Sequence, residues 1–143
     1  MKDEQDGHCL VFLPGKAEIS EAVDGARKFF DQVGVPTVGK QGVGKQGIAS
    51  GDEKNGMVEV LQLYGQQDVE EQQRVFQAVP WRKIIFSTNV AETSVTIDGV
   101  KLVVDAGRAK ENRFDAGRGV MVVEESLISQ SSINCCLCVV FFL

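Results

Sequence analysis

The apolar run Lys83-Ile84-Ile85-Phe86 leads directly into a dense set of hydroxyl and amide side chains: Ser87, Thr88, Asn89, Thr93, Ser94 and Thr96. Such side chains are neutral donors, and phosphate oxygens accept from them well. Asn89, followed by Val90-Ala91-Glu92, offers an N-cap with a glutamate at the third helical position. The free N–H groups of a helix start would add backbone donors and a favourable dipole beside those hydroxyls. The segment therefore reads as an anion site suited to phosphates. The plain competitor is an ordinary strand–loop–helix junction capped by polar residues.

A second phosphate motif does not survive inspection. Gly39, Gly44 and Lys45 match the opening of a phosphate-binding loop, but Gln46 stands where a magnesium-holding Ser or Thr is required. The match falls inside a tandem repeat, Val38-Gly39-Lys40-Gln41-Gly42 and Val43-Gly44-Lys45-Gln46-Gly47, which produces it trivially. Metal chemistry finds no ligand set either. Cys9 lies in an apolar run, and Cys135, Cys136 and Cys138 crowd into the last nine residues, so the four cysteines read as neither a disulfide framework nor a metal-binding set. His8, the single histidine, has no partner set and is given no catalytic role. Trp81, after Pro80, reads as a packing anchor.

The elements that must position the phosphate segment alternate in type. Cys9-Leu10-Val11-Phe12-Leu13 is a continuous apolar run stopped by Pro14-Gly15, the pattern of a strand covered on both faces. Ile19, Ala22, Val23, Ala26, Phe29, Phe30 and Val33 follow at helical spacing, ending at Gly34. Residues 35–56, rich in Gly, Lys and Gln, read as a flexible loop. Val58 to Leu63 predicts a strand, and Asp68 with Glu71 predicts a capping box for a helix to about Gln77. Lys83 to Ser87 and Val100 to Asp105 predict two further strands. Arg113 to Val123, with the turn Ala116-Gly117-Arg118-Gly119, predicts a hairpin. Strands alternating with helices predict an α/β fold with a parallel sheet flanked by helices, and ligands outside the carboxyl ends of its strands.

The wording of these segments resembles the DEAH-box RNA helicases, superfamily 2 enzymes that couple ATP hydrolysis to movement on RNA. Lys83 to Val100 is similar to their motif V. Val11-Phe12-Leu13-Pro14-Gly15 with Glu18-Ile19 looks like motif IV. Leu63-Tyr64-Gly65 and Glu71-Gln72-Gln73-Arg74-Val75-Phe76 look like the following motif IVa region, and Val103-Val104-Asp105-Ala106-Gly107 like the connection toward motif VI. The resemblance runs from residue 7 to 132 and implies the second, RecA-like lobe of a P-loop NTPase-type helicase core, with a β-hairpin near its C-terminus. It implies RNA contacts at Tyr64, Gly65, Thr88, Asn89 and Thr96, with Arg113 in a basic hairpin beside the RNA. It implies nucleotide contacts at Phe76 (adenine), Ser94 (nucleotide sensing) and Asp98 (ribose).

From the residues alone other roles stay open. Phe76 could be core, Tyr64 a buried strand end, and Asp98-Gly99 only a turn. The hairpin's excess of Arg108, Lys110, Arg113 and Arg118 over Glu111 and Asp115 could be a solvated basic face.

Composition sets the outer bounds. The 143 residues suit one domain, and 43% apolar with 24% charged residues is a folded composition. A net charge of −5 argues against whole-surface binding of nucleic acid, so any such binding must be local. The acidic start, Met1 to Asp6, predicts no secretory signal. The longest apolar run, Cys135 to Leu143, falls short of the roughly 20 residues of a membrane span. The expectation is an intracellular protein, nuclear or cytoplasmic, with no membrane partner and no metal ligands of its own.

Two parts that the resemblance calls for are missing. There is no P-loop with an acidic box, as the first lobe would carry, and no motif VI arginines after Ser132. Residues 133–143 form a divergent apolar tail instead. The expectation is a helicase fragment that uses ATP and Mg only together with a first lobe and binds neither alone. Its partners would be single-stranded RNA, that first lobe and possible helicase activator proteins. The alternative is a non-catalytic RNA- or protein-binding module derived from such a lobe.

Overall fold

The computed structural model describes residues 7–39, 56–89 and 97–128. Four strands, β1 (His8–Phe12), β2 (Val58–Leu63), β3 (Arg82–Ser87) and β4 (Val100–Asp105), form one sheet in the order β2-β3-β1-β4. Every pairing is parallel: Leu10 lies opposite Ile85 and Val103, and Val60 opposite Ile84. The continuous apolar runs of the sequence thus become strands with side chains entering two layers. Strands β5 (Arg108–Asp115) and β6 (Val120–Leu127) make a separate antiparallel ribbon. It is longer than the sequence pattern predicts, because its polar outer halves carry no apolar alternation.

Helix α1 (Lys16–Val33) and helix α2 (Val69–Phe76) pack on opposite faces of the sheet. Ile19 and Val23 of α1 bury against Val58 and Val60, with Ile84 and Phe86 beside them. On the other face, Val75 of α2 joins Leu10, Phe12, Leu63, Ile85, Ile97 and Val100. This division follows from the period of two in each strand. Not all of the helical apolar pattern is used, since Phe29 and Val33 remain exposed.

Three local devices depart from the sequence reading or sharpen it. Gly34 ends α1 in the left-handed region at φ 72°, and the Val35 N–H returns to the Phe30 carbonyl at 2.9 Å. The capping box at Asp68 does not form: Asp68 makes no side-chain cap, and Glu71 accepts from the Gln67 amide at 2.9 Å instead. Part of the expected loop 35–56 is anchored, because Thr37 bridges to Val58 and the Val38 N–H donates to the Val58 carbonyl at 3.0 Å. The remainder of that loop, the repeat from Lys40 onward and the tail 133–143 lie outside the described residues.

Candidate functional site

Because the strands are parallel, their carboxyl ends share one edge of the sheet, and the loops leaving it sit side by side. The Thr88 N–H donates to the Leu63 carbonyl at 3.2 Å, and the Leu13 N–H to the Ser87 carbonyl at 2.8 Å. The loop after β3 is thereby joined to the starts of the loops after β2 and β1. Ser87 points inward: it is fully buried, and its hydroxyl donates to the Thr88 carbonyl at 2.7 Å. Thr88 is half-buried and Asn89 exposed, so polar groups reach the surface just past the buried serine. Ser94 and Thr96, and the helix that Asn89 was expected to cap, lie outside the described residues.

Tyr64 and Gly65 stand at the same edge. Tyr64 is half-buried beyond the end of β2 and packs beside the α1-side core. Its loop is held by a short hydrogen-bonded turn. The Gln67 N–H donates to the Tyr64 carbonyl at 3.2 Å, and the Gln72 side chain donates to the Gln67 carbonyl at 3.1 Å. The Lys16 ammonium lies 4.9 Å from the Tyr64 ring centroid, a cation–π arrangement that adds positive charge to this edge. Composition gave no hint of that lysine. A cleft of about 200 Å³ opens beside it along the outer side of β2, lined among others by Asp24, Arg27, Glu59 and Arg74. Its charges are mixed, so it selects no single sign.

The two other nucleotide candidates lie at the opposite edge. α2 runs back from the Tyr64 loop, and its last turn reaches Lys83, the second residue of β3. Phe76 is 42% exposed there, which removes the core reading of that ring. Asp98 is exposed in the turn before β4, where the His8 N–H donates to the Gly99 carbonyl at 2.7 Å. Phe76 and Asp98 are the chain neighbours of Val75 and Ile97, two members of one core cluster. In general an exposed aromatic face can stack on a purine ring, and an exposed carboxylate can accept from sugar hydroxyls. Nothing comparable fits magnesium: among the described residues no group of three or more His, Cys, Asp or Glu could hold a metal ion.

Arg113 joins neither set. It sits in the ribbon, paired with Glu124 at 3.4 Å and largely exposed. The ribbon is tied to the sheet domain by Lys110, which meets Glu18 in the first turn of α1 at 2.6 Å. Gly15 makes room for this contact. A Cβ there would lie 2.8 Å from the Glu18 carboxylate and 3.1 Å from the lysine stem. The lysine holds the Glu18 carboxyl below the usual carboxylate range.

The edge of β2, β3 and β1 starts carries a polar network that the sequence hid. Glu59, buried, accepts from Arg74 at 2.6 Å and from the Trp81 indole N–H at 2.9 Å. Trp81 is thus an anchor with a polar handle. His8 accepts the Lys83 backbone N–H at Nδ1, 3.2 Å away. Its role in the fold is structural.

Residues 1–118 match the family described as the helicase conserved C-terminal domain. The chain belongs to that family. Its relatives place it in the DEAH-box group. It is 36% identical over 128 residues to the putative ATP-dependent RNA helicase DHX57 of Mus musculus, a match over 88% of this chain and 8% of that protein. It is 37% identical over 131 residues to the probable ATP-dependent RNA helicase DHX34 of Homo sapiens, covering 90% of this chain and 10% of that one. The crystal structure of the E. coli DExH-box NTPase HrpB superposes with a TM-score of 0.70 at 27% identity, over 96% of this chain and 14% of that chain. The parallel sheet and the hairpin of this helicase domain are those of its structural neighbours. The chain spans no more than about a tenth of the length of these two relatives.

Proposed function

We propose that residues 7–132 act as the second lobe of an ATP-dependent RNA helicase, with RNA on one edge of the sheet and nucleotide on the other. Tyr64, Gly65, Thr88 and Asn89, continued by Thr96, hold single-stranded RNA through its phosphates and sugars. Phe76 stacks on the adenine, Asp98 accepts from the ribose, and Ser94 senses the nucleotide. Arg113 supplies a basic hairpin contact beside the RNA. When bound between two lobes, ATP with Mg supplies the phosphoryl-transfer chemistry, and the groups that cradle its phosphates and metal belong to the first lobe.

The observation that carries this reading is the Thr88–Leu63 hydrogen bond, which brings the two RNA-contact loops together at one sheet edge. A hydroxyl and an amide beside a lysine-covered tyrosine give neutral donors with one fixed cation, a combination that recognises backbone rather than sequence. The net charge of −5 keeps the intrinsic affinity low, weaker than the 10⁻⁴–10⁻⁶ M order of ordinary non-specific binding.

The test is fluorescence anisotropy with a labelled single-stranded RNA at low salt, beside a phosphate-release assay on the same chain. Salt-sensitive RNA binding that is lost in Thr88→Ala with Asn89→Ala is expected, without ATP turnover. RNA binding unaffected by the double substitution overturns the placement of the RNA edge. RNA-stimulated turnover by the pure chain overturns the dependence on a first lobe. Binding that needs no first lobe and persists at physiological salt supports instead the non-catalytic module.

A further inference from the structure

We infer that Lys83 is a positioning residue for the nucleotide: by holding the last turn of α2 it presents the ring of Phe76 to the base. The inference rests on Phe76 as the base contact. Lys83 is 1% exposed, on the α2-facing side of β3 with Ile85. A buried ammonium is costly unless every N–H finds an acceptor. Here it finds three carbonyls: Arg74 at 3.1 Å, Val75 at 3.0 Å, and Gln77 in a short contact.

These carbonyls belong to the end of a helix, where the last groups have no partner within the helix and the dipole is negative. They also bracket Phe76 in sequence, two before it and one after. The clamp therefore fixes the backbone on both sides of the ring while leaving the ring itself open. Glu59 is occupied elsewhere, with Arg74 and Trp81, so the acid secures the side chains of this corner and the lysine secures its backbone.

Burial, the largest effect, draws the Lys83 ammonium below the ordinary lysine range, and Arg74 adds to the shift while Glu59 opposes it. The group is held against its preference for water, which is the mark of a site specified by its partners. A ring ordered before the ligand arrives spares the complex the cost of ordering it on binding.

The full 143-residue chain is titrated with adenosine at millimolar concentration, because the groups that cradle the phosphates belong to the first lobe, with saturation transfer to the adenine H2 and H8 protons as the readout. Binding of a labelled oligouridylate, which engages the other sheet edge, is followed in parallel by fluorescence anisotropy at low salt. Wild type is expected to transfer saturation to the adenine, and Phe76→Ala to abolish the transfer. Lys83→Met is expected to weaken adenosine about tenfold and leave the oligouridylate unchanged, because only the base contact depends on the clamp. Adenosine binding by Lys83→Met equal to wild type, or equal losses for both probes, overturns the positioning role. If Lys83→Met does not fold, Lys83→Gln is measured with the same two probes and read the same way. Adenine transfer that is absent in wild type, or that survives Phe76→Ala, rejects the Phe76 reading and the inference with it.

Discussion

Individual side chains in this domain often do something other than their type suggests, and His8 is the clearest case. The chain's single histidine has no partner set in the sequence, yet its ring accepts the Lys83 backbone N–H while its own backbone N–H donates to the Gly99 carbonyl, closing the start of the sheet against that turn. Burial, then the charges of Lys83 and Arg82, lower its pKa from 6.5, with Glu59 acting weakly the other way. The sign follows directly. The folded state favours the neutral ring, so the stabilisation is complete above the unfolded value and is lost as pH falls through 6.5 toward the lowered folded value. Thermal melts between about pH 7.5 and 5.5 are expected to show a falling melting temperature in wild type and a flatter profile in His8→Gln, whose amide oxygen still accepts. Parallel profiles for the two proteins would rule out His8 as the source. The same residue scale explains why Lys83 escaped the sequence reading. A lysine that opens an apolar run reads as a solvated strand end, and nothing in the run announces that a helix ends above it.

At the scale of elements the sequence was legible wherever hydrophobic period alone decided the outcome. Continuous runs such as Leu10 to Leu13 and Ile84 to Phe86 could only be strands covered on both faces, and the sheet is parallel throughout. Helix α1 stops where Gly34 says it should. What failed were choices between competing polar partners. Glu71 prefers the Gln67 amide to the N-terminus of α2, and no spacing rule distinguishes those outcomes. The candidate site divided along the same line. The hydroxyl loop was visible as composition, whereas the separation of Tyr64 and Thr88 from Phe76 and Asp98 needed the direction of every strand. Gly34 permits a clean measurement of an element's boundary. Among the described residues, no atom beyond its own chain neighbours and helix lies within 4 Å of where its Cβ would stand, so Gly34→Ala pays only for the left-handed backbone. The expected cost is about 1–2 kcal/mol, seen as a lower urea midpoint with an unchanged slope. A midpoint equal to wild type would mean that α1 can end elsewhere at no cost.

Seen whole, the sheet is covered unevenly, and this sets how the domain behaves in solution. α1 lies over β2 and β3, and α2 with the Ile97 segment closes the opposite face. On the α1 side, β4 places Leu102 and Val104 opposite Cys9 and Val11. Those two β4 residues are 56% and 46% exposed. Parallel sheets are rarely left open on a face, because their strands carry apolar side chains on both sides. β4 is also the last strand of the sheet among the described residues, and end strands are where sheets most readily meet other chains. Both features favour association between molecules over stability within one. Leu102→Lys combined with Val104→Thr is expected to raise the concentration at which the chain remains monomeric in light scattering, and to lower binding of an apolar dye. Because these side chains touch little in the folded domain, the change in stability is expected to stay within about 0.5 kcal/mol per substitution. A large loss of stability, with no gain in the monomer range, would show that this face is packed in solution and that β4 belongs to the core.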